Sequence, residues 1–195
     1  MAHVGLPSID PEIRILVVDD EPGLAELNAI WIREKWPCET ANNAQDALSI
    51  LDDSFDTAIL DRRMPGMSGD ELLQEIRDSI EDIQVMMVSS VTPDLDIIEM
   101  PFDQYLPKPV DRDALQGAIE KLLVRRTYPR TAQEYFAAIS KLEVLEEANP
   151  YDYLTESDLY TELRKHAESL RQESDVRLGA ISSIEGEMYE IEADD

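Results

Sequence analysis

The chain predicts an α/β fold, a five-stranded parallel doubly wound sheet, followed by a C-terminal α-helical hairpin or coiled coil. Three observations predict it. Short apolar runs alternate with helical patterns through residue 126, which is the rhythm of strand–helix–strand units. Four of those runs end in polar chemistry, as strands do when their carboxyl ends share one rim. After Arg125-Arg126 no strand pattern returns.

The elements follow in order. Strands are expected near 13–18, 38–41, 57–60, 84–89 and 104–106. Pro22 opens a first helix, with Leu24, Leu27 and Trp31 on its inner face, and Ala44 to Leu51 forms a short second one. Ser68 can cap a third helix from Asp70 to about Arg77. Asp94 to Glu99 reads as a brief fourth helix stopped by Pro101, and Asp111 caps a fifth with Leu115, Ile119 and Leu122 inward. Beyond it, Thr131 to Ala148 is helical, with Phe136, Ile139, Leu142 and Leu145 spaced by threes, and Asn149-Pro150 breaks the pattern. From Thr155 to about Ile191 apolar residues recur at spacings of four and three, a coiled-coil-like seam interrupted by Ser174 and Arg177. This divides the chain into a tail (1–11), a sheet domain (12–126) and a helical output or assembly domain (127–195). A two-helix hairpin buries little by itself, so it is expected to pack on the sheet domain or on a second copy.

Composition narrows the class. Cys38 is the only cysteine, so no internal disulfide can form, and a lone thiol at the head of a strand reads as packing rather than as a nucleophile. Met1 to Glu12 carries no basic leader, and no apolar run approaches the ~18 residues of a membrane span; a soluble cytoplasmic protein without membrane contact is expected. The 43 acidic and 17 basic side chains leave a net charge of −26, and only five of the bases are lysine. Such self-repulsion is tolerable where salt screens it, so the surface reads as adapted to a salt-rich, halophilic interior. Arg125, Arg126 and Arg130 form the only basic cluster of the helical segment and its lead-in, read as helix capping and linker solvation.

The rim residues carry the chemistry. Asp19 and Asp20 close the first strand, Asp61 the third and Ser89 the fourth, while Tyr105-Leu-Pro-Lys108-Pro follows the fifth. Carboxylates meeting at one rim repel unless a cation or proton intervenes, and hard oxygen ligands beside a site for phosphate favour Mg²⁺. Asp61 is a usable nucleophile at neutral pH. In-line phosphoryl transfer then needs chiefly positioning and charge neutralisation, which Mg²⁺ and the Lys108 ammonium can supply. Met64-Pro65-Gly66 shapes the loop after Asp61, since proline fixes φ and glycine permits a tight turn.

Residues 12–126 resemble the receiver domain of two-component response regulators, a CheY-like, flavodoxin-like fold. The resemblance implies that Asp61 is the phosphoacceptor, fed by a sensor histidine kinase. It implies that Asp20, Asp61 and the backbone carbonyl of Arg63 bind Mg²⁺, with Asp19 acting through water. It makes Ser89 the switch hydroxyl, Tyr105 the aromatic switch that enters the space Ser89 vacates, and Lys108 the phosphate-binding lysine. Two departures stand out: the stretch from Ser89 to Lys108 is a few residues short, which contracts the fourth helix, and Arg63 places a long cation beside the acceptor.

Residues 127–195 resemble the HalX domain that follows receivers in halophilic archaea, on Tyr135-Phe136, the helical hairpin and the acidic surface. With 17 acidic and 6 basic side chains, this segment is opposite in sign to a duplex binder. The expected function is therefore a phosphorelay response regulator, not an enzyme beyond self-phosphorylation and autodephosphorylation. Its helical tail would mediate homodimerisation or protein binding. A DNA-binding transcriptional regulator is the disfavoured alternative. An Asp-nucleophile phosphatase is a further one, against which Asp61-Arg62-Arg63 lacks a second acid for proton transfer.

Overall fold

The computed structural model describes residues 13–80 and 82–173. Five parallel strands, β1 (Ile15–Val18), β2 (Cys38–Ala41), β3 (Thr57–Leu60), β4 (Gln84–Ser89) and β5 (Gln104–Pro107), lie in the order β2-β1-β3-β4-β5. β1, β3 and β4 are buried along their whole length, which their continuous apolar sequences require when helices cover both sheet faces. In register, Val18 pairs with Leu60 and Leu60 with Met87, so the residues that follow β1 and β3 emerge side by side.

One face is covered by α1 (Pro22–Arg33) and α4 (Arg112–Arg125). α1 turns differently from expectation: Ala25, Asn28, Ala29 and Ile32 are buried, Leu27 is exposed, and Leu24 and Trp31 are only half-buried. The alanines let the helix backbone lie close to the sheet, and close approach wins over burying the largest side chains. α4 matches expectation, with Leu115, Ile119 and Leu122 fully buried below Asp111, whose carboxylate caps Ala114 N–H.

The other face carries α2 (Ala44–Ile50) and α3 (Gly69–Ser79), the latter started by a reciprocal Ser68–Glu71 capping box. Next to them the expected fourth helix is a single 3-10 turn, Leu95–Glu99, capped by Asp94. So short a turn covers little of β4 and β5. The rest is covered by the helical extension: α5 (Arg130–Ala148), a one-turn α6 (Tyr151–Thr155) and α7 (Asp158–Glu173). Phe136, Ile139, Leu142 and Leu145 of α5 and Tyr160, Leu163, Ala167 and Leu170 of α7 join the same apolar cluster as Ile97, Phe102 and Tyr105. The hairpin therefore packs on the sheet domain of its own chain. Its second long helix starts at Asp158 rather than Thr155, because α6 is inserted after Pro150; the expected seam beyond Glu173 lies outside the described residues.

The three arginines of the basic cluster each have a partner. Arg125 is buried, donates to Gln104 Oε1 at 2.9 Å and lies 4.8 Å over the Phe136 ring; Arg126 pairs with Asp56, and Arg130 with Glu134. Arg125 thus reaches from the sheet domain to Phe136 of α5, whereas Arg126 pairs within the sheet domain and Arg130 within α5. Cys38 is buried at the head of β2, and burial pushes its thiol up to about 12, as a packing residue requires.

Candidate functional site

Strand ends build the site. Asp61 N–H donates to Val18 O at 2.8 Å and Asp19 N–H to Ala41 O at 3.2 Å, which continues the sheet ladder one step past β3 and β1 and fixes where both carboxylates emerge. Asp19, Asp20 and Asp61 then offer oxygens that all lie within 4.8 Å of one another. Asp19 is buried, and its Oδ1 accepts Glu21 N–H at 2.9 Å, so its side chain is held in place rather than free to turn to solvent.

One cation enters this group. Lys108 follows β5 and donates from Nζ to Asp19 Oδ2 at 2.8 Å, while standing 3.5 Å from Asp61 Oδ1. Lys108 N–H bonds Ser89 O at 2.8 Å, fixing the loop that carries it. Asp61 Oδ1 is buried and has no hydrogen-bond partner among the described residues, an expensive state for a carboxylate oxygen. Burial pushes the Asp61 carboxyl up; Lys108 opposes this and Asp19 adds to it. Burial also pulls the Lys108 ammonium down, but Asp19 and Asp61 outweigh it and the net shift is upward, so this lysine stays charged. Among the described residues, three carboxylates against one ammonium leave two formal negative charges and an Asp61 oxygen without a hydrogen bond. Those residues fit a divalent cation of hard character, which Mg²⁺ is.

Ser89 and Tyr105 lie on the neighbouring strands β4 and β5. Ser89 is buried, and its Oγ accepts Val91 N–H at 3.1 Å. Tyr105 is already fully inside: its hydroxyl donates to Val91 O at 2.8 Å and its N–H to Ser140 Oγ of α5 at 3.2 Å, and burial pushes its phenol up. The helical extension covers the edge strand here. Arg63 is exposed and lines, with Asp20, Arg62, Met64 and Ser68, an open cavity of about 530 Å³ next to the acids.

Two residues escaped the sequence reading. Arg62 is buried, donates from Nε to both oxygens of Asp70 at 3.0 and 3.1 Å, and pairs with Asp96 of the 3-10 turn. Gly69 leaves no room for a side chain: a Cβ there would stand 2.0 Å from Asp61 O. Only a glycine three residues past Pro65-Gly66 hinted at the second, and nothing in the sequence showed which of two adjacent arginines turns inward.

The geometry has counterparts among known proteins. A model of the response regulator receiver domain matches residues 15–120, and a model of the HalX domain matches residues 124–188. A putative transcriptional regulator from Haloferax volcanii is 39% identical over 165 residues, covering 84% of this chain and 28% of the relative. The CpxR homolog from Haemophilus influenzae, a transcriptional regulatory protein, is 35% identical over 136 residues, covering 68% of this chain and 57% of the relative. The chain thus spans little more than half of one of these relatives and under a third of the other. Among solved structures, response regulator TrrA from Thermotoga maritima in complex with Mg²⁺ and BeF is 34% identical with a TM-score of 0.52, over 56% of this chain and 98% of that one. A CheY-like receiver domain protein from Methanospirillum hungatei is 26% identical with a TM-score of 0.55, over 58% and 95%.

Proposed function

The chain belongs to the response regulators, a receiver domain followed by a HalX domain, and from that premise we propose that Asp61 accepts a phosphoryl group from a phosphohistidine of a sensor kinase. One observation carries the reading: a carboxylate whose buried oxygen has no hydrogen bond among the described residues, only a 3.5 Å ion pair with Lys108, sits with two further acids. An Asp61 oxygen attacks phosphorus, the P–N bond of the donor breaks, and the imidazole nitrogen keeps the electron pair and takes up a proton. The product is an acyl phosphate on Asp61.

Asp20, Asp61 and the backbone carbonyl of Arg63 would hold Mg²⁺, with Asp19 acting through water; the ion would supply charge neutralisation at the transferring phosphoryl group. The likeness to TrrA, whose structure contains Mg²⁺ and BeF, supports that assignment. Lys108 can release its 3.5 Å contact with Asp61 to meet a phosphoryl oxygen while Asp19 keeps its other side. Ser89 can turn its hydroxyl towards the same group. The role is a cytoplasmic signalling switch that acts on itself and on partners rather than an enzyme turning over a free substrate. Its helical domain, net negative, serves protein contact or self-association before DNA binding; the transcriptional names belong to longer relatives.

Incubation with acetyl phosphate and Mg²⁺ in molar KCl should add one hydroxylamine-labile phosphoryl group to wild type and none to Asp61→Asn. Intact-mass and peptide mass spectrometry read the result. Modification at another residue, or in the variant, defeats the proposal.

A further inference from the structure

A second cavity, of about 740 Å³, opens where the helical extension meets the amino ends of β4 and β5. Gln84, the first residue of β4, and Asp103, just before β5, line it, so it lies at the opposite end of these strands from the acidic rim. Its apolar wall comes from both domains: Ile98 and Phe102 from the sheet side, Ala137, Ala138 and Leu163 from the helical side. Among the described residues, four lysine and arginine side chains line it against three carboxylates, one formal positive charge in a chain that carries −26. Three of those four cations already face an anion. Arg77 donates to Asp103 Oδ2 at 2.5 Å, Arg126 pairs with Asp56, and Arg130 pairs with Glu134. Lys141 has no carboxylate partner among the described residues: its Nζ donates to Ile98 O at 2.7 Å and lies 5.2 Å from the centre of the Phe102 ring. An ammonium has three N–H groups, and a single carbonyl accepts from this one. Asp103 acts on it only from a distance, because its Oδ2 already accepts from Arg77 and from Val85 N–H. Burial accordingly pulls the ammonium down to about 8. A cation drawn into apolar surroundings without an ion-pair partner is costly, and a bound anion offsets that cost.

We propose that this cavity binds a small amphipathic monocarboxylate, its carboxylate on Lys141 Nζ and its apolar body along Phe102, Ala138 and Leu163. The volume lies in the range of small-molecule sites, which are walled mostly by apolar side chains around a few placed polar groups. Lys141 is the placed group, and a neutral ligand would leave it as it stands. A single formal positive charge suits a monoanion. A phosphomonoester would bring a second negative charge towards Asp82, Asp103 and Glu134, and that repulsion selects against it. No residue of the acidic rim lines the cavity, so binding there does not depend on the role of Asp61.

The test titrates the full chain in molar KCl with acetate, butyrate, hexanoate, hexan-1-ol and hexyl phosphate, and follows the methyl groups of Ile98, Ala138 and Leu163 by NMR. Hexanoate should shift all three. Affinity should rise about threefold to fourfold for each methylene between acetate and hexanoate, the worth of burying that group. Hexan-1-ol should bind at least about tenfold more weakly than hexanoate, since it cannot replace a hydrogen bond between charged groups, and hexyl phosphate should also bind more weakly. Lys141→Met should bind hexanoate no better than hexan-1-ol, while Lys165→Met, which alters an exposed lysine of α7 outside the cavity, keeps the wild-type preference. A second measurement needs no variant. Hexanoate should slow reductive methylation of Lys141 by labelled formaldehyde about fivefold or more and leave Lys165 unchanged, read by peptide mass spectrometry. Acetate binding as tightly as hexanoate would mean that the site takes an inorganic-type anion only, and would overturn the proposal. So would equal binding of hexanoate and hexan-1-ol, tighter binding of hexyl phosphate, an unprotected Lys141, or methyl groups that no probe shifts.

Discussion

At the scale of single residues, the site is assembled at a cost to stability. Asp61 is pushed up by burial and by Asp19, so its ionised form is disfavoured in the metal-free fold. Asp61→Asn should therefore be more stable than wild type without Mg²⁺, as residues kept for function rather than stability commonly are when replaced. Mg²⁺ at ten times its dissociation constant should stabilise wild type by about 1.4 kcal/mol and the variant by much less, measured by urea unfolding. Equal gains for both proteins would show that Asp61 is not a ligand. Gly69 is the opposite case, a residue with no chemistry and no tolerance. Gly69→Ala brings a Cβ to 2.0 Å from Asp61 O and should cost at least about 1–3 kcal/mol through forced backbone movement. Since that backbone carries the proposed acceptor, phosphorylation by acetyl phosphate should fall in parallel; a variant of wild-type stability would refute the close approach.

At the scale of elements, α5 holds its partners by groups that titrate and by groups that do not. Burial pulls Lys141 down to about 8 from an ordinary 10.5, with Asp103 only partly opposing. Below pH 8 the folded and unfolded chains both carry the proton, and the folded one bears the penalty of burying it. Between about 8 and 10.5 the unfolded chain binds more protons, so this residue makes stability rise with pH. The difference in unfolding free energy between wild type and Lys141→Met should grow in favour of wild type across that window, by at most about 3 kcal/mol. A difference that is flat with pH would contradict the burial of the ammonium. Tyr160 joins α7 to α5 without titrating in this range: its hydroxyl donates to Glu146 Oε1 at 2.6 Å, and burial followed by that carboxylate pushes its phenol up. Tyr160→Phe should cost about 1.5–3 kcal/mol, the usual loss for a hydrogen bond to a charged group. Unchanged thermal unfolding of the hairpin would show that the contact is idle.

For the whole molecule, the charge of −26 acts against compactness, and its repulsion extends over the Debye length. That length falls from about 10 Å at 0.1 M salt to about 3 Å at 1 M. Melting temperature should therefore climb with KCl; a gain of about 3 kcal/mol would read as roughly 6–12 °C in a chain of this size. A flat response would remove the high-salt reading of the composition. The same scale shows why the short 3-10 turn matters. By covering little of β4 and β5 it leaves apolar surface that only the helical extension fills, so receiver and extension share one core. The sheet domain and the helical extension are thereby one packing unit on that face.

The strands, the caps Ser68 and Asp111, and the rim positions of Asp19, Asp20, Asp61, Ser89 and Lys108 were legible because each depends on local pattern: an apolar run, its end, and the residue that satisfies the next backbone group. Which side chains α1 buries, which arginine after Asp61 turns inward, and where the hairpin docks were not. Those outcomes depend on how closely two surfaces approach and on what charge the other surface presents. Alanine fits against the sheet where leucine was expected, Arg62 finds Asp70 and Asp96 from distant elements, and α5 finds the gap the shortened turn left. The sequence by itself determined the elements and the chemistry at their ends, because neighbours along the chain decide those. Only the tertiary structure decided the partners, because burial and electrostatic pairing are properties of surfaces that meet after the chain has folded.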